Sequence, residues 1–477
     1  MVTLSDYIEW VRNGSIKAED VIAECLEKLK KNELNSRISV SSEYVLEKLD
    51  TQKGWSLCAA PIGVKDNIMT AWIRSTCGSS ILENYIPEYS ATCFQNLEKS
   101  GGLMMGKNNM DEFAMGGSGE NSAFGPTKNP HDKECVPGGS SSGGAACVAN
   151  GECLWAIGTD TGGSTRLPAA FCGIVWFKPT YGNISRFGVQ SMSNSLDQVG
   201  VMTQTVEDAW ILYKAIAWYD EMDLNSNNQV IYNPIWEFPK REWWKPKVCV
   251  FHEFFAEGID LRMKELIMAK IQELQDMGYE VERRSFPLLS SLIATYYIIC
   301  PAEVSTNMAR FDGIRYGLQS DTALFDSLQD YYSYVRSAWF GKEVQRRILI
   351  GAHVLSSGYQ DQYYNKAVAI KNKVAEEFMK LFGEFDIVLS PTSPVWPWKI
   401  GGHAMDPLAD YLADSYTIIA NLIGAPAMSV PWGMECIDWK NIPYGVHIIG
   451  KPWNDEWVMM FGKVLESMNK MYTQNKK

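Results

Sequence analysis

A lysine in an apolar segment and two glycine-serine clusters are the residues whose types and spacing could do chemistry. Lys65 lies in Pro61–Asn67, the first cluster is Pro137–Gly144, and the second is Gly158–Arg166. A serine hydroxyl is a weak nucleophile until a neighbouring base takes its proton. A lysine can be that base only when it is neutral, which burial favours because it lowers the pKa. The pattern therefore favours a serine hydrolase that uses Lys65 as its base.

Two other motifs compete with this interpretation. Residues 101–108 nearly match a phosphate-binding P-loop, but Asn108 stands where a hydroxyl should bind magnesium. Residues 139–143 match the G-x-S-x-G elbow of serine hydrolases, which needs a histidine later in the chain. Only His353, His403 and His447 follow in the required order. Both motifs are short and common, so we regard them as weaker alternatives.

Three blocks together identify a family resemblance. PIGVKDN, PGGSSSGG and GTDTGGSTR resemble the defining blocks of the amidase signature family, with 75 residues from Lys65 to Ser140 and 24 from Ser140 to Ser164. The resemblance implies that Ser164 is the nucleophile, that Ser140 follows a cis peptide bond and bridges, and that Lys65 is the general base. Backbone N–H groups of the second block suit an oxyanion hole, with Thr161, Gly162, Gly163 and Ser164 as donors. Asp160 and Arg166 are expected to form a structural pair.

Longer segments resemble one branch of that family, the A subunits of the amidotransferases that act on Glu-tRNA(Gln) or Asp-tRNA(Asn). They are MDEFAMGGSGENSAFGPTKNP, FKPTYGNISRFGV, SLDQVG, ARFDGIRYG, FGKEVQRRILIG and IIGKP. The resemblance implies a glutaminase that supplies ammonia to a partner. Arg346 resembles the clamp for the glutamine carboxylate, with Arg347 as the alternative. Asp414 resembles the acceptor for the ammonium, although it could cap a helix, and Tyr296 resembles a pocket wall.

The same resemblance implies partners and cofactors. We expect B and C subunits as partners, glutamine as the substrate, and contact with tRNA only through other subunits. ATP and Mg²⁺ would be used by a partner, so no cofactor or metal is expected in this chain. Two rival functions stay open: a free-standing amidase acting on a small amide, and a non-catalytic scaffold. One local departure is Ser142 and Gly144, where the family has glycine and serine; we expect this swap to be tolerated.

The elements that position these residues predict an α/β fold. We expect three layers, with a central mixed β-sheet covered by helices on both faces, in a single domain spanning residues 1–477. The catalytic core would cover about 58–205, and pocket-forming and helical elements about 206–430. Residues 247–251, 261–277 and 279–283 resemble a βαβ unit.

Composition limits the function further. The 477 residues are 46% hydrophobic and 21% charged, which is typical of a soluble globular protein. A net charge of −12 makes unassisted nucleic-acid binding improbable, because phosphate contacts need clustered Lys and Arg. We find no signal peptide or membrane span, and the 11 cysteines contain no C-x-x-C pair. We therefore expect a cytoplasmic protein.

The tryptophans are unusual for this family. The chain has 17, and five stand where the family has glycine: Trp72, Trp176, Trp218, Trp339 and Trp439. An indole inserted in place of glycine in a packed site causes strain. We hypothesise that the source organism reads UGA as glycine and that these codons were translated as tryptophan; genuine drift to tryptophan is the alternative. If the hypothesis holds, the structure should show crowded or displaced indoles.

Overall fold

The computed structural model describes residues 3–228, 238–239, 244–403 and 406–474. Eleven strands of these residues form one mixed sheet. In chain order they are β1 (Arg37–Val40), β2 (Ala60–Lys65), β3 (Gly102–Asn108), β4 (Trp155–Asp160), β5 (Val175–Lys178), β6 (Gln198–Thr203), β7 (Val248–Phe251), β8 (Val281–Arg284), β9 (Ile387–Pro391), β10 (Ala427–Ile437) and β11 (Lys440–Gly450).

The helices of the described residues pack against this sheet and against one another. They are α1 (Leu4–Arg12), α2 (Ala18–Lys31), α3 (Ser42–Lys53), α4 (Thr92–Lys99), α5 (Ser142–Ala149), α6 (Arg166–Cys172), α7 (Val206–Ile216), α8 (Leu261–Asp276), α9 (Leu292–Met308), α10 (Leu328–Trp339), α11 (Lys342–Val354), α12 (Asn365–Leu381), α13 (Pro407–Ala413), α14 (Ile418–Leu422) and α15 (Asp455–Gln474).

The strand order is β1-β3-β2-β4-β6-β5-β10-β11-β9-β7-β8. Strands β2, β3 and β4 run parallel to one another at one end, and β7, β8 and β9 are parallel at the other. Antiparallel pairs join the two groups through β6, β5, β10 and β11. The β7–α8–β8 segment is the parallel βαβ unit that the sequence predicts.

Alternate residues of the central strands enter two different hydrophobic clusters. In β9, Ile387 and Leu389 belong to a cluster shared with α1, α7 and α15, whereas Val388 belongs to a cluster shared with α9, α11 and α12. Neighbours along a strand point to opposite faces of the sheet. Helices therefore cover both faces, which confirms the predicted three-layer α/β/α fold. Ten of the 11 cysteines are buried within it, and Cys436 is exposed.

One helical stretch of the described residues, Pro287–Met308, is long and apolar enough to cross a membrane by length and composition alone. It contains α9, which packs against α11, α12 and α14. Core helices of proteins with large sheets pass the same test of length and composition.

The tryptophans of the recoding hypothesis fall into different environments. Trp72 and Trp439 have backbone φ angles of +64° and +67° and indoles that are 74% and 96% exposed. The left-handed region is costly for residues other than glycine. Trp176 is fully buried, and neither its indole N–H nor that of Trp339 finds an acceptor among the described residues. Trp218 packs beneath the Lys99 ammonium at 5.7 Å. At four of the five sites, the tryptophan is therefore either largely exposed or has an indole N–H without an acceptor in the described part of the chain. The recoding hypothesis itself stays a prediction.

Candidate functional site

Two parallel strands bring the lysine and the second serine cluster together. Strand β2 ends at Lys65 and β4 ends at Asp160, and Val64 of β2 pairs with Ile157 of β4. The carboxyl ends of adjacent parallel strands lie at the same edge of a sheet, where ligand sites of α/β proteins collect. The first cluster reaches this edge because Ser141 N–H donates to the Ser164 carbonyl at 2.9 Å.

Lys65 contacts the bridging serine that the resemblance implies. Its Nζ lies 2.8 Å from Ser140 Oγ and also donates to Thr159 Oγ1 and Thr159 O, at 3.0 and 3.2 Å. Lys65 is 1% exposed and Ser140 is fully buried. Burial lowers the pKa of Lys65 to about 7, although the carboxylates of Asp111, Asp160 and Asp197 oppose the shift. A substantial fraction of Lys65 is therefore neutral near pH 7 and able to accept a proton.

Ser140 also has the backbone geometry that the resemblance implies, since the Gly139–Ser140 peptide bond is cis. Ser164 sits just before α6 and is 6% exposed, compared with 1% for Lys65 and 0% for Ser140. Thr159 was missed by sequence reasoning. The sequence could have indicated Thr159 as a site residue, because it belongs to the same block as Ser164 and its strand lies next to that of Lys65.

One of the predicted oxyanion donors already has a partner in the loop. Gly163 N–H donates to Asp160 Oδ1 at 3.0 Å, so this amide is already used inside the loop. A backbone N–H has one hydrogen to give. The amides of Thr161, Gly162 and Ser164 remain the candidate donors, and the Thr161 side chain is held by a 2.7 Å hydrogen bond to Asp197 Oδ1.

Asp160 and Arg166 form the structural pair that the sequence predicts. Arg166 Nη2 and Nε donate to the two Asp160 oxygens at 2.8 and 3.0 Å, and both residues are fully buried. Burial alone would raise the pKa of Asp160, but the Arg166 guanidinium outweighs it and holds that pKa below its usual value. Arg166 also donates to the Thr417 carbonyl and to Asn421 Oδ1. The pair thus fastens the serine loop to α14 and the segment before it.

The two glycines of the loop allow two predicted substrate residues to approach it. A Cβ on Gly162 would collide with the ring of Tyr296, and a Cβ on Gly163 would lie 2.8 Å from Asp414 Oδ1. Asp414 Oδ1 is buried and has no hydrogen-bond partner among the described residues. Burial, with Asp160 adding to it, raises the pKa of Asp414 well above its usual value. Arg166 and Arg347 act on Asp414 electrostatically, but Oδ1 has no direct partner in the described residues and could accept a hydrogen bond from an ammonium group.

The structure separates Arg346 from Arg347. Arg347 has a 4% exposed side chain, donates to Glu343 Oε1 at 2.8 Å and packs over the stacked rings of Tyr297 and Tyr411. Arg346 has a 41% exposed side chain and lines a cavity of about 190 Å³. Gly117, a neighbour of Asp414, lines the same cavity. Arg346 is thus the arginine available to a ligand, although it also pairs with Glu343.

His403 and Asp410 were not predicted from the sequence but line the same cavity. His403 Nδ1 lies 2.8 Å from Asp410 Oδ1, at hydrogen-bond distance, and the His403 ring stacks on Trp398 at 4.4 Å. No sequence pattern marked them, because they come from the loop and helix that follow the last parallel strand and meet the site only in the folded chain.

Neither competing motif matches the geometry. Residues 102–108 are the buried strand β3, and Lys107 Nζ is occupied by Ile68 O and the hydroxyls of Thr70 and Ser75. The central serine of the elbow motif, Ser141, is buried and donates to Thr159 O at 3.2 Å. Within the described part of the chain, no histidine ring nitrogen hydrogen-bonds to Ser140, Ser141 or Ser164. His447 is 2.8 Å from Arg166 Nη1 instead.

The arrangement can perform acyl transfer. It has a candidate nucleophilic serine, a buried lysine joined to a bridging serine, and a glycine loop with candidate oxyanion donors at the same sheet edge. The local swap in the first block is accommodated, since Ser142 Oγ bonds to Thr127 Oγ1 at 3.1 Å. No group of three or more His, Cys, Asp or Glu residues suited to a metal ion occurs in the ranges that the structure describes.

Comparisons with known proteins agree with this geometry. Residues 20–459 match the sequence family named Amidase. The chain is 41% identical to the A subunit of glutamyl-tRNA(Gln) amidotransferase from Thermoanaerobacter pseudethanolicus, over 98% of this chain and 96% of the relative. It is 44% identical to the protein of the same name from Geobacillus kaustophilus, over 88% of this chain and 85% of the relative.

Solved structures show the same similarity. The crystal structure of the A subunit of glutamyl-tRNA(Gln) amidotransferase from Thermotoga maritima is 36% identical, with a TM-score of 0.77, and the match covers 97% of this chain and 92% of that one. A 6-aminohexanoate cyclic dimer hydrolase shares the fold at 20% identity, with a TM-score of 0.83 over 98% of this chain and 96% of that one.

Proposed function

The chain belongs to the amidase family, and from that premise we propose that it is the glutaminase subunit of a tRNA-dependent amidotransferase. It hydrolyses glutamine with water to glutamate and ammonia. A partner subunit uses the ammonia to convert Glu-tRNA(Gln) to Gln-tRNA(Gln), Asp-tRNA(Asn) to Asn-tRNA(Asn), or both. The identity to amidotransferase A subunits over nearly the whole chain supports this branch of the family.

The observation that carries the proposal is a guanidinium that lines the cavity together with an unpartnered carboxyl group that lies against the serine loop. Arg346 lines the cavity, and the unpartnered Asp414 lies against Gly117 and Gly163. An amino-acid amide carries a carboxylate and an ammonium, for which a guanidinium and a carboxylate are the matching partners. A small neutral amide would need neither. We assign Tyr296, which packs on Gly162, to the wall of the substrate pocket.

The proposed reaction uses the three side chains in order. Neutral Lys65 takes the proton of Ser140, and Ser140 takes the proton of Ser164 as the Ser164 oxygen attacks the amide carbon of glutamine. Amides of Thr161, Gly162 and Ser164 stabilise the oxyanion. The proton returns to the departing nitrogen, which leaves as ammonia, and a γ-glutamyl ester stays on Ser164. Water then attacks the ester by the same proton route, releasing glutamate and restoring the serine.

We assign the other tasks of the reaction to partners. B and C subunits would bind tRNA, and a partner would use ATP and Mg²⁺ to activate the acceptor. The net charge of −12 supports an indirect role in tRNA binding, because binding to phosphate groups depends on an excess of Lys and Arg that this chain does not have. We further propose a cytoplasmic location, where aminoacyl-tRNA is made and used.

Co-purification with the neighbouring gene products, followed by a glutaminase assay with and without charged tRNA, tests the proposal. We expect glutamine hydrolysis that rises when the partners and Glu-tRNA or Asp-tRNA are added. Robust turnover of simple amides with indifference to glutamine would instead identify a free-standing amidase. A partner-bound chain with no amidase activity of any kind would identify a scaffold.

A further inference from the structure

Two adjacent acidic residues that the proposed reaction does not use, Asp111 and Glu112, lie between the serines and the helix that carries Arg346. Asp111 is fully buried and Glu112 is 3% exposed. Buried carboxylates persist where hydrogen bonds compensate their desolvation. The two residues have different partners: Asp111 contacts the segment of the serines, and Glu112 contacts the start of the helix that carries Arg346.

Asp111 faces the serines. Its carboxylate accepts the N–H groups of Gly119 and Asn121, at 3.0 and 2.9 Å, and its own N–H donates to the Ser140 carbonyl at 3.2 Å. A Cβ on Gly139 would collide with this carboxylate. Because the 116–121 loop lines the cavity, Asp111 ties a wall of the cavity to the bridging serine.

Glu112 faces the substrate helix. Its Oε2 accepts the N–H of Gly341 at 2.7 Å, and Gly341 is the N-cap residue of α11. Its Oε1 accepts the hydroxyl of Ser79. The first N–H groups of a helix have no partner within the helix, and negative charge is favourable there. Glu112 therefore fixes the end of α11 from which Arg346 projects little more than one turn later.

We propose that Glu112 is a positioning residue for substrate recognition: it holds α11, and so Arg346, at a set distance from Asp111 and Ser140. The proposal rests on the proposed function, in which Arg346 binds the glutamine carboxylate. Adjacent residues of one short turn then connect the group that recognises the substrate to the groups that hydrolyse it. Loss of the Glu112 contact should weaken glutamine binding while leaving the serines in place.

The test is steady-state kinetics of the full chain, alone and with its co-purified partners. Glu112→Ala should raise KM for glutamine about tenfold, the effect of one lost hydrogen bond, with kcat within about twofold. Glu112→Gln keeps an acceptor for Gly341 and should keep KM close to that of the wild type. Ser79→Ala, which removes the other partner of Glu112 and a 3.4 Å hydrogen bond from Ile81 N–H but leaves the Gly341 contact, is the matched control and should also keep KM. Thermal melting of each variant reports whether it folds.

A double-mutant cycle separates positioning from general damage. If Glu112 acts through Arg346, Glu112→Ala should add less than about twofold to the KM of the Arg346→Ala chain. A further tenfold rise there, or a fall in kcat that equals the loss in kcat/KM, would overturn the proposal, as would an Ala variant with wild-type KM. A wild-type chain that ignores glutamine would instead refute the proposed function, so the two failures are distinguishable.

Discussion

Lys65 Nζ lies 2.8 Å from Ser140 Oγ, and both side chains are closed off from solvent. The contact explains how this chain can activate a serine without a histidine. Burial lowers the pKa of the lysine to about 7, so the neutral amine that a general base requires is populated under ordinary conditions. Thr159 holds the same amine from a second side through its hydroxyl and its carbonyl.

The pH dependence of hydrolysis should therefore follow Lys65. Because only the neutral amine accepts a proton, kcat/KM should rise with pH through about 7 and then level off. Measured between pH 5.5 and 9, the wild type should show this acid limb, and Lys65→Met should lose activity by roughly a thousandfold. A rate independent of pH across this range would argue against lysine as the base.

The charge of Asp111 should affect the midpoint pH at which kcat/KM rises. Asp111, Asp160, Asp197 and Cys77 are the titratable groups that act on Lys65, and Asp111 is the strongest of them in raising its pKa. Asp111→Asn removes that charge, so the midpoint should move to lower pH, by roughly half a unit to one unit. Asp223→Asn is a suitable control, because Asp223 pairs with Arg186 and does not act on Lys65. A midpoint that stays or moves upward would contradict the electrostatic account.

Substitution of Arg346 should weaken glutamine binding, whereas substitution of Arg347 should lower stability. Arg346 lines the cavity with a 41% exposed side chain, so Arg346→Gln should raise KM for glutamine by roughly tenfold to a hundredfold with little loss of stability. Arg347→Gln removes a buried cation from Glu343 and two tyrosine rings, and should lower the free energy of unfolding by about 3 kcal/mol. Kinetics and thermal melting on both variants check this, and the opposite pattern would exchange their roles.

Glycine should stabilise this protein at some of its tryptophan positions. Trp72, Trp439 and Trp453 have φ angles of +64°, +67° and +74°, so Trp→Gly at each should raise the free energy of unfolding by about 1 kcal/mol. Trp10→Gly, inside helix α1, is the control and should lower it by about 1 kcal/mol. The gene gives a second check of the recoding hypothesis: UGA is expected at the codons of Trp72, Trp176, Trp218, Trp339 and Trp439, and UGG there would contradict it.

The sequence predicted the parts of the site that lie in continuous blocks. Lys65, Ser140 and the sheet edge could be anticipated because each block contains its own strand end or turn. Arg346 and Arg347 could not be separated, since neighbours on a helix point about 100° apart and only the packing of Tyr297 and Tyr411 fixes which one faces inward.

Other features depended on contacts between distant segments. Nothing local to Glu112 indicates that its carboxylate meets Gly341, 229 residues away in the chain. The amide of Gly163 was assigned as an oxyanion donor, but Asp160, three residues earlier, takes it up. This contact could have been anticipated, because a short acidic side chain often accepts a backbone N–H two or three residues on.

Identification of the acylated residue tests the central claim most directly. The complex is incubated with glutamine, quenched in acid and digested, and the peptides are mapped by mass spectrometry. The account predicts a γ-glutamyl ester on Ser164 that is absent from Ser164→Ala, a variant that should fold normally and lose glutaminase activity by at least roughly a thousandfold. An ester on Ser141 or Ser142, or hydrolysis that survives in Ser164→Ala, would contradict it.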